Sequence, residues 1–311
     1  MKKILALILT GLLLLGCVSA QATETGKYEQ LTVGVTTPFS GNFLADTLGN
    51  NISDQDVRKL IHGYSLVYWD SGTGSYQFDR NIISAATIST DGLTYTFALA
   101  QGLTFNDGTP ITARDYAFAL LLLGSDEMEQ AMGQRDDLSR IKGGSEYGKG
   151  LSDTLAGFRI LSDHQFSITM DESFSPYFYQ LKALDFYPLP ISVIAPGCEV
   201  KDNGDGAFIS GAFSAELLRK TMSNPETGYV SHPFMTCGPY QLSVYDGDSV
   251  TLIRNEQYLG NNKGVQPDIP RIVIRVETPD ALIQDLAAGE IDLAVRCARE
   301  ETIRAGMMLT V

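Results

Sequence analysis

The chain has 311 residues, 44% hydrophobic and 19% charged, a balance that buries a real core and excludes a disordered tail. At that length about two domains are expected. With 23 Lys and Arg against 37 Asp and Glu the formal net charge is -14 and no basic run occurs, so no nucleic-acid partner is expected, because phosphate neutralisation needs a clustered cationic face.

Lys2 and Lys3 lead into an apolar run from Ile4 to Gly16, broken only by Thr10. The run is too short to span a bilayer comfortably, and residues 1–16 read as a signal peptide. It ends Leu14-Leu15-Gly16-Cys17, which resembles a bacterial lipobox, so Cys17 is expected to be lipidated and to become the new N-terminus. Each buried methylene contributes about 0.8 kcal/mol, so two or more acyl chains hold a protein on a membrane stably. Residues 17–30 are polar and small and read as a flexible tether. Three more cysteines follow, Cys198, Cys237 and Cys297. A Cys198–Cys237 disulfide would close a loop worth about 4 kcal/mol in the chain-entropy model. Separate buried thiols are the alternative, and geometry decides between them.

The body opens with an alternating strand, Leu31 to Thr36, that runs into Pro38-Phe39-Ser40-Gly41. A strand that ends in such a turn is a candidate ligand edge; a plain loop with Phe39 plugging the core is the equal alternative. Val57, Leu60, Ile61 and Tyr64 recur at helical spacing, which predicts a helix from Asp54 to about Gly63. Asp91-Gly92 marks a hairpin turn between the isoleucines at 82, 83 and 88 and the alternating strand Leu93 to Leu99. Thr112 and Asp115 have capping-box spacing, so a helix is predicted over Ala113 to Leu123.

Further on, Phe158 to Leu161 and Phe166 to Met170 read as paired strands, and Lys201 to Gly206 as a polar loop. Tyr240 to Tyr245 and Ser249 to Arg254 flank Asp246-Gly247-Asp248 as a hairpin. Ile272 to Val276 is a strand, Thr278-Pro279 opens a helix that Gly289 stops, and Ile291 to Val295 is another strand. Strand, helix, strand favours a parallel pair and reads as the start of an α/β domain.

Catalytic signatures are missing: no H-E-x-x-H, G-x-S-x-G or C-x-x-C occurs. Gly143 to Lys149 has phosphate-loop spacing, but Gly150 stands where Ser or Thr is needed, so it reads as a surface loop. His62, His164 and His232 are scattered, and the acidic loop at Asp202 has Gly204 at its third position, so neither metal nor cofactor is expected.

Several stretches together resemble one family. Asp91 to Phe97 followed by Gly102 to Asp115, then Gly157 to Met170, Cys237-Gly238-Pro239-Tyr240, Arg254-Asn255 with Tyr258 and Gly260, and Gly289 to Leu293 occur in the order of the oligopeptide- and dipeptide-binding proteins of ABC importers, solute-binding protein family 5. Glu256 and Leu259 replace the family's usual proline and tryptophan. The resemblance implies an α/β, periplasmic-binding-protein-like (type II) two-lobe fold, with no enzymatic activity.

On that reading residues 31–270 form lobe I, with an inserted subdomain at about 50–165, and residues 271–311 only begin lobe II, so the chain reads as C-terminally truncated. The ligand implied is a peptide or small solute lying between the lobes, its backbone meeting Thr37, Pro38, Phe39 and Ser40. The partners implied are an ABC permease with its ATPase, and the membrane through the lipid on Cys17, on the extracytoplasmic face. A nickel complex or an oligosaccharide on the same scaffold, a non-transporting fragment and, further off, a secreted hydrolase are the alternatives.

Overall fold

The computed structural model describes residues 29–296, so the signal peptide, Cys17 and Cys297 lie outside the described residues. In chain order the elements are β1 (Gln30–Val35), α1 (Ile52–Ile61), β2 (Val67–Asp70), β3 (Ser75–Phe78), β4 (Ile83–Ile88), β5 (Thr94–Leu99), α2 (Ala113–Leu123), α3 (Asp126–Met132), β6 (Phe158–Ser162) and β7 (Gln165–Thr169). Then follow β8 (Glu199–Asp202), β9 (Ala207–Ser210), α4 (Ala215–Met222), β10 (Tyr240–Tyr245), β11 (Ser249–Arg254), β12 (Arg271–Val276), α5 (Pro279–Ala288) and β13 (Leu293–Ala294).

Two hydrophobic cores organise these elements. The larger lies under the antiparallel sheet β4-β5-β7-β6. In β5 the residues Tyr95, Phe97 and Leu99 point inward and Thr94, Thr96 and Ala98 are half-buried, as the alternation requires. α2 carries the full capping box, Thr112 accepting from the Arg114 N–H while Asp115 accepts from the Thr112 N–H. Every residue of α2 except Arg114 is buried, which is why its sequence is apolar almost all round. The turn predicted at Lys201 to Gly206 is the tip of the β8–β9 hairpin, a pair whose strands are too short to announce themselves by alternation.

The smaller core lies under a five-stranded sheet of order β10-β11-β12-β1-β13. Here the structure shows how the last strands pair. The strand–helix–strand unit that reads as the start of a second lobe supplies β12 and β13 to this sheet, on either side of β1. β12 pairs in parallel with the whole of β1, from Gln30–Arg271 to Val35–Val276, and β13 takes the other edge of β1 at Val33 and Gly34. The two strands expected to be neighbours are therefore separated by β1. The physical reason is that β1 offers two unpaired edges and buries Val33 and Val35, so distant strands must cover it on both sides. Gly34 permits the close seat of α5 on this sheet: a Cβ there would stand 2.4 Å from Leu282 Cδ1 and 2.7 Å from Ile291 Cδ1.

The larger core can be set beside the inserted subdomain expected at about 50–165. α1 packs in the smaller core through Val57 and Ile61, while Leu44 and Ala45 before it already belong to the larger one, so the two cores interleave along the chain. The larger core also continues well past residue 165, through Leu184, Leu218 and Tyr229. The disulfide alternative also falls: Cys198 and Cys237 are both free, buried thiols. Cys237 Sγ lies 3.2 Å from the Gly63 carbonyl, and burial pushes its thiol up to about 12. No helix among the described residues is long and apolar enough to cross a membrane.

Candidate functional site: the carboxyl edge of the parallel strands and an adjoining groove

In open sheets with parallel strands, ligands meet the loops at the carboxyl ends of those strands. Here that edge is the exit of β1 between the exits of β12 and β13. The Glu277 N–H donates to Val35 O (2.7 Å) and the Val295 N–H to Gly34 O (3.2 Å), so the three exits lie side by side.

The β1 exit is stapled to the start of α1. Ser53 Oγ donates to Thr37 O and Asn51 Nδ2 to Pro38 O, each at 2.8 Å. Asn51 is also the N-cap of α1, accepting from the Ser53 and Asp54 N–H groups. The buried Asp54 carboxylate gathers the Ser40 N–H (3.1 Å), Ser40 Oγ (2.5 Å) and the Asn42 N–H (3.0 Å). The loop is thus a rigid platform rather than a free edge.

Of the four residues singled out by sequence, Thr37 is half-buried and Pro38 and Ser40 are exposed at this edge. Phe39 is not available to a ligand. Its ring is buried edge-on against Phe43 (6.2 Å) and Tyr245 (6.1 Å), which is the core-plug alternative.

Sequence reasoning misses Arg296 and Asp56. At the β13 exit Arg296 makes a fork with Asp56 of α1, Nη2 to Oδ1 at 2.6 Å and Nε to Oδ2 at 2.8 Å. Its backbone is left-handed, φ 58°, an uncommon conformation for a residue with a side chain. Its place two residues after a strand end is the one local signal; the partner, far away in sequence, gives none.

On the far side of α1 a groove of about 410 Å³ runs between this helix and the larger unit, lined among others by Arg58, Lys59, His62, Asp136, Asp185 and Tyr187. Arg58 is fully engaged, donating to Asn42 O (2.5 Å) and Asp46 Oδ1 (2.5 Å). His62 stacks flat on Tyr187 (4.3 Å, 6°) with Nε2 2.8 Å from Phe43 O, and burial holds it down to about 4, so it is neutral. Asp185 accepts from Ser65 Oγ at 2.8 Å; desolvation in the groove wall raises its carboxyl and that of Asp136. A larger depression, about 680 Å³, opens past Ser40 towards Met132, Met222 and His232. It is the smaller groove, across α1 from the platform, that brings charged groups of both signs together, the arrangement that orients a polar solute. Among the described residues no three His, Cys, Asp or Glu side chains converge as a metal site.

Comparisons with known proteins agree with this architecture. The family model described as bacterial extracellular solute-binding proteins, family 5 Middle, matches residues 75–305. The oligopeptide-binding protein OppA of Bacillus subtilis is 27% identical over 265 residues, 83% of this chain and 41% of that protein. The periplasmic oligopeptide-binding protein OppA of Salmonella typhimurium is 26% identical over 211 residues, 64% of this chain and 32% of its own. The chain thus spans less than half the length of the curated relatives it matches.

Among solved structures, Listeria monocytogenes OppA bound to peptide superposes with a TM-score of 0.63 at 16% identity, covering 86% of this chain and 46% of that one. NikZ from Campylobacter jejuni, in complex with Ni(L-His), gives 0.52 at 18% identity, covering 85% and 42%. These likenesses show the OppA-type periplasmic-binding fold, over under half of the solved chains. The family match runs from β3 through both cores and past β13, and the chain therefore belongs to the bacterial extracellular solute-binding proteins of family 5, which bind solutes rather than transform them.

Proposed function

We propose that this protein is the substrate-binding component of an ABC import system, which captures peptides outside the cytoplasmic membrane and hands them to a permease driven by a separate ATPase. The observation that carries the reading is the stapled platform at Thr37 to Ser40, which holds polar backbone at the carboxyl edge of a sheet whose family relatives bind oligopeptides. Recognition through the peptide backbone gives affinity without demanding a sequence. The lipid on Cys17 keeps the protein at the membrane face, so captured solute stays near the permease. An intact mass that falls by the mass of acyl chains on lipase treatment supports the anchor; an unmodified Cys17 removes it.

Calorimetric titration of the full chain with a mixture of tri- to pentapeptides tests the ligand class, with oligosaccharides and a nickel–histidine complex as parallel arms. Saturable heat with peptides alone is the expected result. The nickel arm matters because NikZ shares this scaffold with Ni(L-His) bound. Saturation by that complex or by a sugar, with silence from peptides, replaces the ligand class.

A further inference from the structure

Two residues of the groove wall, Ser65 and Asp185, flank the start of β2 and the end of the short 180–184 helix, the elements that lead to an exposed aromatic cluster. Trp69 of β2 stands opposite Tyr76 of β3 in register, so both rings project from one face of the hairpin, with centroids 5.3 Å apart and planes at 72°. Tyr179 closes on Trp69 from the segment before residues 180–184, at 6.1 Å and 36°. Trp69 is 47% exposed and Tyr179 42%, and Phe178 and Tyr177 extend the patch. Contiguous exposed aromatic surface marks a contact site rather than a scattered surface residue.

Two separate observations say what such a contact is made of. The first is charge. Asp185 lies at the other end of the short 180–184 helix from Tyr179, and its carboxylate is held by Ser65 Oγ at 2.8 Å. Its negative field reaches Tyr76, whose phenol is raised by burial and then by that carboxylate. Lys182 also faces Asp185 but is exposed.

The second is the protein's own use of these rings. The Arg140 guanidinium lies 5.8 Å from the centroids of both Phe174 and Tyr177, so the segment that carries Tyr179 already seats one cation on its aromatic faces. Trp69 and Tyr179 present the same kind of face to solvent, and Trp is the strongest aromatic partner for a cation.

We infer that Trp69, Tyr76 and Tyr179 form a subsite for a cationic side chain, ammonium or guanidinium, of a peptide lying in the groove, with Asp185 as its counter-charge. This rests on the peptide-binding reading above and adds to it a preference among peptides. Backbone pairing is indifferent to sequence; this pocket is not.

Trp69 is the single tryptophan of the chain, so its fluorescence reports this subsite directly. The full chain is titrated with Ala-Arg-Ala, Ala-Leu-Ala, Ala-Phe-Ala and free arginine, by calorimetry and by emission. Ala-Arg-Ala is expected to bind about tenfold tighter than Ala-Leu-Ala and to shift the emission, the scale of one desolvated cation–π contact. Trp69→Leu should bring the two affinities within about twofold, Trp69→Phe should keep most of the preference, and Asp185→Asn should reduce it.

Equal affinities for the Arg and Leu peptides, a tighter Ala-Phe-Ala, or Arg-peptide heat without a change at Trp69 overturns the inference and leaves peptide capture standing. Heat from no peptide, with emission still shifted by free arginine, overturns the peptide as the source of the cation and the peptide reading with it. Silence in every arm sinks both.

Discussion

The four-stranded sheet and the five-stranded sheet reach their cores by opposite routes. In the first, the far ends of β5 and β7 meet through Thr94 and Thr169, 75 residues apart. In the second, the Thr32 N–H donates to Asp292 across 260 residues. Closing the longer loop costs more chain entropy and is rewarded only when both ends are in place, so long-range parallel pairing is the slower step. The candidate ligand edge sits on this second sheet. Its geometry therefore depends on nearly the whole described chain, whereas the aromatic cluster at Trp69 needs a local hairpin and Tyr179, brought to it from 110 residues away.

The largest test of that contrast is a pair of cavities. Phe166 packs between Phe158 (5.0 Å), Tyr116 (5.4 Å) and Phe97 (5.5 Å), so Phe166→Ala should cost about 3–5 kcal/mol in urea unfolding. Leu252→Ala in the smaller core should cost about 2–5 kcal/mol, and hydrogen exchange should rise in β1 and β12 while β5 and β7 stay protected. Equal loss of protection in both sheets would show one cooperative unit and dissolve the distinction.

Next comes the staple. Asp54→Ala removes the acceptor of three hydrogen bonds and leaves the buried Asn42 N–H without it, so a loss of about 2–3 kcal/mol is expected in the same measurement. A change below about 0.5 kcal/mol would mean that the β1 exit does not need its tie to α1.

The two regions also differ in how they respond to pH. His62, beside the groove, is held down by burial to about 4 from 6.5, so unfolded chains take up its proton first and stability falls as pH drops from 6.5 to 4. Asp115 of α2 is raised by burial to about 6 from 3.8, so its contribution is fully present below 3.8 and is lost as pH rises to 6. Between pH 4 and 6 the slopes oppose each other. His62→Gln should therefore make the stability curve fall more steeply, or rise less, towards pH 6, and Asp115→Asn should do the reverse, each on the order of 2 kcal/mol across the window. Parallel shifts in denaturant midpoints would refute the assignment.

Smallest is the fork at the β13 exit. Arg296 and Asp56 are both partly exposed, so Arg296→Gln should change stability by less than about 1 kcal/mol in thermal melts. A larger loss would mean that this pair, rather than the backbone pairing, holds β13 in place.

Most local elements are legible in the amino-acid sequence. The capping box at Thr112, the β10–β11 hairpin around Asp246-Gly247-Asp248 and the Thr278-Pro279 start of α5 all act through neighbours within a few residues, so residue identity suffices to announce them. The β2–β3 and β8–β9 hairpins are not, since each strand holds only four residues and too little alternation. At the site, Thr37, Pro38 and Ser40 stand out because a strand precedes them. Phe39 looks the same in sequence and turns inward because Phe43 and Tyr245 make an aromatic pocket for it.

By itself the sequence determined the α/β class, the absence of known catalytic signatures, the ordered run of family motifs and the placement of helix caps, because each is a local pattern or a composition. Tertiary structure alone decided that β12 and β13 flank β1 and that Arg296 reaches Asp56. It also decided that Cys198 and Cys237 stay apart as thiols and that Trp69 meets Tyr179. Those facts depend on which distant surfaces bury each other, and no local window of the chain carries that information.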